Sequence, residues 1–158
     1  MGRIVVGSDG SEGGNAALGW AIEEAKLRQA RLEVVHAWQP MSPTWSGLGA
    51  MGTSMAPPID VDELRSYAQS ILDAVLATRT QELVGVDLDA HLVEGHPIDV
   101  LVDAARGADL LVVGSRGLGG FRGALLGSVS QHVGHHTRCP VVIVPHPRHE
   151  GGDASHAS

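Results

Sequence analysis

A chain of 158 residues, 43% hydrophobic and 18% charged, has the composition of one globular domain: long enough for a single core, too short for two of ordinary size. Its formal net charge of -7 disfavours a phosphate backbone or an anionic membrane surface as partner, so any phosphate site has to be local. No apolar run approaches the roughly 18 residues of a membrane span, no basic leader precedes the first apolar run, and Cys139, followed by Pro140 and an apolar run, is the one cysteine and reads as an inert thiol; the reading is a cytoplasmic chain with neither membrane nor nucleic-acid partner.

The first run, RIVVGS at 3 to 8, is β-branched and apolar and predicts a strand. Residues 11 to 29 then carry Ala17, Leu18, Ala21, Ile22, Ala25 and Leu27 near helical spacing, and Asp9 with Glu12 three residues later reads as the cap of that helix. A second strand is predicted at 32 to 38, LEVVHAW. The span 39 to 60 is rich in Pro, Gly, Ser and Met and too long for an idle connection; it reads equally as a lid or as a disordered loop. Helical spacing resumes over 61 to 83, with Leu64, Ala68, Ile71, Leu72 and Val75 on one side behind a cap of Asp60 and Glu63.

In the strand predicted at 86 to 93, Val86, Leu88, Ala90 and Leu92 alternate with polar residues, as on a sheet edge. The runs at 4 to 6, 110 to 113 and 141 to 144 are continuously apolar, as in parallel strands covered on both faces. Pro97 suits the first turn of a short helix, and strands at 109 to 115 and 140 to 145 flank a last helix opened by Ser128 and Gln131 as an S-x-x-Q cap. Strands alternating with crossover helices predict an open parallel α/β sheet over residues 1 to 146, with 147 to 158 a frayed tail.

The stretch GSRGLGGFRGALLGS, 114 to 128, holds six glycines and two arginines and no acidic residue. It runs from the carboxyl end of the fourth strand to the first turn of the last helix, where open α/β sheets bind ligands. Glycines admit close backbone approach, and a helix N-terminus offers N–H groups to a phosphate. A Walker A loop is excluded because it needs a lysine and the single lysine, Lys26, lies in the first helix; the dinucleotide fingerprint is excluded because the first strand-to-helix turn reads GSDGSEGG.

The spacing Gly114, Gly117, Gly127, Ser128 matches G-x2-G-x9-G-[ST], and with VVGSDGSE, VVHAW, Gly95 and CPVVIVP the chain resembles a single-domain universal stress protein of the ATP-binding type. The resemblance implies a five-stranded parallel sheet of order 3-2-1-4-5, Rossmann-like, and a homodimer through Val141 to Val144. It implies ATP across the strand ends, with magnesium or manganese carried by the nucleotide. Asp9 would lie near the adenosine, Ala37 would offer backbone to the adenine, Gly114 would face the ribose, and Gly117, Gly127, Ser128 and Val129 would hold the phosphates. Arg116 and Arg122 are candidate phosphate clamps or solvated loop residues.

Asp9 and Ser128 can equally serve as helix caps. His132, His135 and His136 lie together on the last helix without a third ligand at metal spacing, so no metal site is assigned. No triad signature or carboxylate pair appears, and no catalytic residue is assigned; slow ATP hydrolysis or self-phosphorylation stays open. The functional reading is a nucleotide-binding stress-response protein whose occupancy acts as a signal. Its rivals are an interaction module with the same fold and no nucleotide, a regulator binding cyclic AMP or AMP, and an adenylating enzyme of the ATP-pyrophosphatase kind, whose S-G-G-x-D-S loop GSDGSE does not match.

Overall fold

A computed structural model describes residues 1–40, 60–118 and 126–146. Nine elements follow one another: β1 (Arg3–Gly7), α1 (Glu12–Arg28), β2 (Arg31–Trp38), α2 (Val61–Ala77), β3 (Leu88–Glu94), α3 (Pro97–Ala104), β4 (Leu110–Gly114), α4 (Ser128–His136) and β5 (Val141–Val144). All four strand pairings are parallel, and the sheet order is β3-β2-β1-β4-β5, the order the resemblance implies. The long loop and the tail of the sequence reading fall, but for residues 39, 40 and 60, outside the described residues.

The middles of β1 and β4 are continuously apolar because both faces are covered. Ile4, Val6, Leu110 and Val112 pack toward α1 and α2, while Val5, Val35, Leu111 and Val113 pack toward α3 and α4. Ile4, Val5, Val6, Leu111 and Val112 are wholly buried. The run at 141 to 144 departs from that expectation: its four residues are half-buried, since β5 has a neighbour on one side alone in the chain. The opposite margin, β3, is the edge its alternation predicted. There Asp89 pairs with Arg31 at 2.5 Å and His91 stands 3.4 Å from the same carboxylate.

Two caps differ from the sequence reading. Helix α1 is capped by Ser11, whose hydroxyl accepts from Gly14 N at 3.1 Å; Asp9 reaches the same end of the helix but accepts from Ser11 and from Leu118 N rather than from a first-turn N–H. Helix α4 is capped by Gly127, with no side-chain hydrogen bond, and Ser128 is its first helical residue. Asp60 caps α2 as expected, accepting from Asp62 N at 2.9 Å, but the helix ends at Ala77, and turns carry the chain on to Gly85, which has a positive φ of 80°.

Candidate functional site

Sheet order reverses between β1 and β4, leaving the C-terminal strand ends open to a cavity of about 440 Å3. All eight residues singled out in the sequence line it: Asp9 beyond β1, Ala37 in β2, Gly114, Arg116 and Gly117 where β4 ends, and Gly127, Ser128 and Val129 where α4 begins. Arg122 lies outside the described residues. The opposite wall was not anticipated. It is made by Leu64, Tyr67, Ala68 and Ile71 of α2 from one face of the sheet and by Pro97 and Leu101 of α3 from the other, and it is mostly apolar. Their helical spacing reads as ordinary core, and nothing in the sequence separates a side chain facing a core from one facing a cavity.

Asp9 ties the two loops together. Its Oδ1 accepts from Ser11 N at 3.0 Å and from the Ser11 hydroxyl, and its Oδ2 accepts from Leu118 N at 3.1 Å, across 109 residues of sequence. The carboxylate therefore holds the loop after β4 against the start of α1, a role that helix capping would have precluded.

The glycines serve that closure. Gly114, Gly117 and Gly127 all lack a positive φ, so backbone freedom does not explain them. A Cβ on Gly114 would stand 2.6 Å from the backbone C and O of Gly13, one on Gly117 would stand 2.5 Å from Asp9 Oδ2, and one on Gly127 would touch the Arg116 Cα at 3.4 Å. Gly13, buried in the first turn of α1, meets the Arg116 carbonyl in the same way. Their missing side chains let loop pack on loop. Gly13 belongs to the same set, and the GG pair after Ser11 is the one sequence signal for it.

The loop is further fixed at Ser115, which is buried. Its N–H donates to Val144 O at 2.8 Å, its carbonyl accepts from Gly127 N at 2.6 Å and Ser130 Oγ at 3.2 Å, and its hydroxyl accepts from His146 N at 2.9 Å. Gly127 thus arrives at α4 in extended conformation, φ -72° and ψ 165°. The first-turn N–H groups of a helix have no intrahelical acceptors, and Gly127 has no side chain to cap them. Those groups of Ser128 and Val129, with the Arg116 guanidinium on the same cavity, put positive partial and formal charge at this end of it.

The other polar wall is Ser8 and His36, 5% and 6% exposed. His36 Nδ1 donates to the Ser8 carbonyl at 2.7 Å, while the Ser8 hydroxyl has no partner among the described residues. Elsewhere, the rings of His132 and His136 stack at 6.3 Å, each Nδ1 bonded to a carbonyl one turn back, and among the described residues no group of three His, Cys, Asp or Glu is placed to hold a metal ion. Burial pushes the half-buried Cys139 thiol above its ordinary value. Among the described residues no helix is long and apolar enough to cross a membrane.

A five-stranded parallel sheet with helices on both faces, and a cavity between two glycine-bearing loops at its switch point, defines a Rossmann-like α/β protein. The chain belongs to the universal stress protein family, whose model matches residues 1–145. Universal stress protein Rv2623 of Mycobacterium tuberculosis is 32% identical over 169 residues, 98% of this chain and 55% of its own, so the chain spans about half the length of that relative. Among solved structures, a universal stress protein in complex with cAMP is 31% identical with a TM-score of 0.66, covering 92% of this chain and 98% of the other. The universal stress protein from Archaeoglobus fulgidus in complex with dAMP is 25% identical with a TM-score of 0.64, covering 91% of this chain and 97% of its own.

Proposed function

We propose that the cavity binds an adenine nucleotide, ATP in the first place, and that its occupancy serves as a conformational or assembly signal in a stress response. The observation that carries this reading is the convergence of Asp9, Ala37, Gly114, Arg116, Gly117, Gly127, Ser128 and Val129 on one cavity with opposite ends of different character. The α4 N-terminus and Arg116 suit phosphates; the apolar wall of α2 and α3 suits a flat base. Two structurally similar family members were solved holding cAMP and dAMP, which favours an adenine ring and keeps a cyclic AMP or AMP regulator as the second reading.

A magnesium or manganese ion would travel with the nucleotide. Among the described residues Asp9 is the one carboxylate lining the cavity, it is engaged by Ser11 and Leu118, and no cluster offers a ligand set, so the ion's other ligands would be phosphate oxygens and water. Backbone N–H groups hold phosphate much alike in ground and transition states, so they bind more than they accelerate; we assign no catalytic residue and no dedicated turnover. Two copies would join through β5, and the chain would act in the cytoplasm. Mass spectrometry of protein released by denaturation, followed by titration with ATP, AMP and cAMP, tests the reading. ATP recovered from the protein and bound more tightly than the other two is the expected result; tighter cAMP establishes the second reading, and no binding of any of them refutes both.

A further inference from the structure

Ser8 follows directly on β1 and is almost wholly buried. Its N–H donates to Val35 O at 2.9 Å and its carbonyl accepts from His36 Nδ1 at 2.7 Å, so both backbone groups are used. Its hydroxyl has no hydrogen-bond partner among the described residues, although Ser8 lines the cavity. A buried hydroxyl without a partner costs stability, and an alanine or valine would close this strand at no such cost. The group is therefore unexplained by the fold and adjacent to a space that an occupant can fill.

We propose that Ser8 is a specificity-determining residue of the cavity, its hydroxyl turning about its own Cα–Cβ bond to hydrogen-bond the heterocyclic base of the bound nucleotide. The inference rests on the nucleotide-binding reading above and adds to it the residue that meets the base. The base is the chemically matched occupant because Ser8 continues the alternation of Ile4 and Val6 toward the side covered by α1 and α2, where Leu64, Ala68 and Ile71 give the apolar wall. A hydroxyl both donates and accepts, so it can meet a ring nitrogen or an exocyclic amine; His36, by holding the Ser8 carbonyl, fixes the backbone from which it reaches.

The test compares the parent protein with Ser8→Ala in two measurements, thermal unfolding without ligand and displacement of a fluorescent adenine nucleotide by ATP, adenosine and tripolyphosphate. Removing a partnerless hydroxyl leaves the ligand-free melting temperature unchanged or higher. ATP and adenosine should both lose affinity by the same factor, about 5- to 10-fold, while tripolyphosphate competes as before. Equal ATP and adenosine affinities in parent and variant overturn the proposal while the nucleotide reading stands. So does a loss confined to ATP or shared by tripolyphosphate, which would move the hydroxyl to the phosphates, and so does a lower melting temperature with binding intact, which would make Ser8 a structural residue. A parent protein that binds neither ATP nor adenosine overturns the proposal and the nucleotide reading together.

Discussion

Replacing Gly114 by alanine adds a single methyl group where the carbon would lie 2.6 Å from two backbone atoms of Gly13 and 3.2 Å from the Arg116 carbonyl. Those neighbours are main chain, so no flexible side-chain end can move aside; the start of α1 and the loop after β4 must separate by the better part of an ångström to restore ordinary contact. Overpacking of this kind costs about 3 kcal/mol at the upper end of its range. The conformational gain of alanine over glycine in a strand offsets at most about 1 kcal/mol. A net loss near 2 kcal/mol lowers the melting temperature of a chain this size by about 4–8 °C. The control is Gly134→Ala in exposed α4, where nothing lies within 4 Å of the added carbon; it should gain about 0.5–1 kcal/mol. Calorimetric unfolding of both variants without ligand decides the matter. Gly114→Ala melting at or above the parent would refute the claim that this glycine is demanded by the approach of α1.

Gly117→Val places its branch against Asp9 Oδ2 and should displace the carboxylate from Leu118 N; losing that bond, worth about 1.5–3 kcal/mol, should lower the melting temperature by about 3–12 °C while ATP affinity measured by calorimetry on the folded variant falls at least tenfold, and a folded variant binding like the parent refutes the placement of the phosphates. Bound ATP should turn over far more slowly than the roughly 10 per second typical of enzymes, and Arg116→Gln should weaken binding more than it changes the turnover of occupied sites. Single-turnover release of labelled phosphate within seconds, abolished by that substitution without loss of affinity, would make the protein an ATPase. Light scattering at micromolar concentration should give the mass of two chains, and a single-chain mass counts against association through β5.

The strands were legible because burial on both faces leaves continuous apolar runs, as at 4 to 6 and 110 to 113, whereas the equally apolar run at 141 to 144 proved half-buried at a margin and the sheet order came only with the family resemblance. Caps were less legible. Asp9, Ser11 and Ser128 are all capping residue types, and only the path of the chain decides that Ser11 and Gly127 do the capping while Asp9 crosses to Leu118. The glycine-bearing side of the cavity was visible through the spacing of Gly114, Gly117 and Gly127, though the packing of loop on loop that their missing side chains allow was not. The α2 wall stayed hidden because Leu64, Ala68 and Ile71 obey the same helical period as the core residues Leu72 and Val75 beside them. Ser8 stayed hidden because a serine at a strand end is unremarked until its hydroxyl is found without a partner.

The two margins of the sheet are chemically unlike. Along β3 the outermost strand bears Asp89, His91 and Glu94, with Arg31 bonded across from the next strand; along β5 it bears three valines and an isoleucine. A ribbon whose one selvedge is charged and whose other is bare can be joined at the bare side once. Whatever is added there as a second copy turns its own charged selvedge outward, and the composite offers no further bare margin to the solvent. A sheet paired there would limit its own growth, since a pair would leave no bare margin for a fibre.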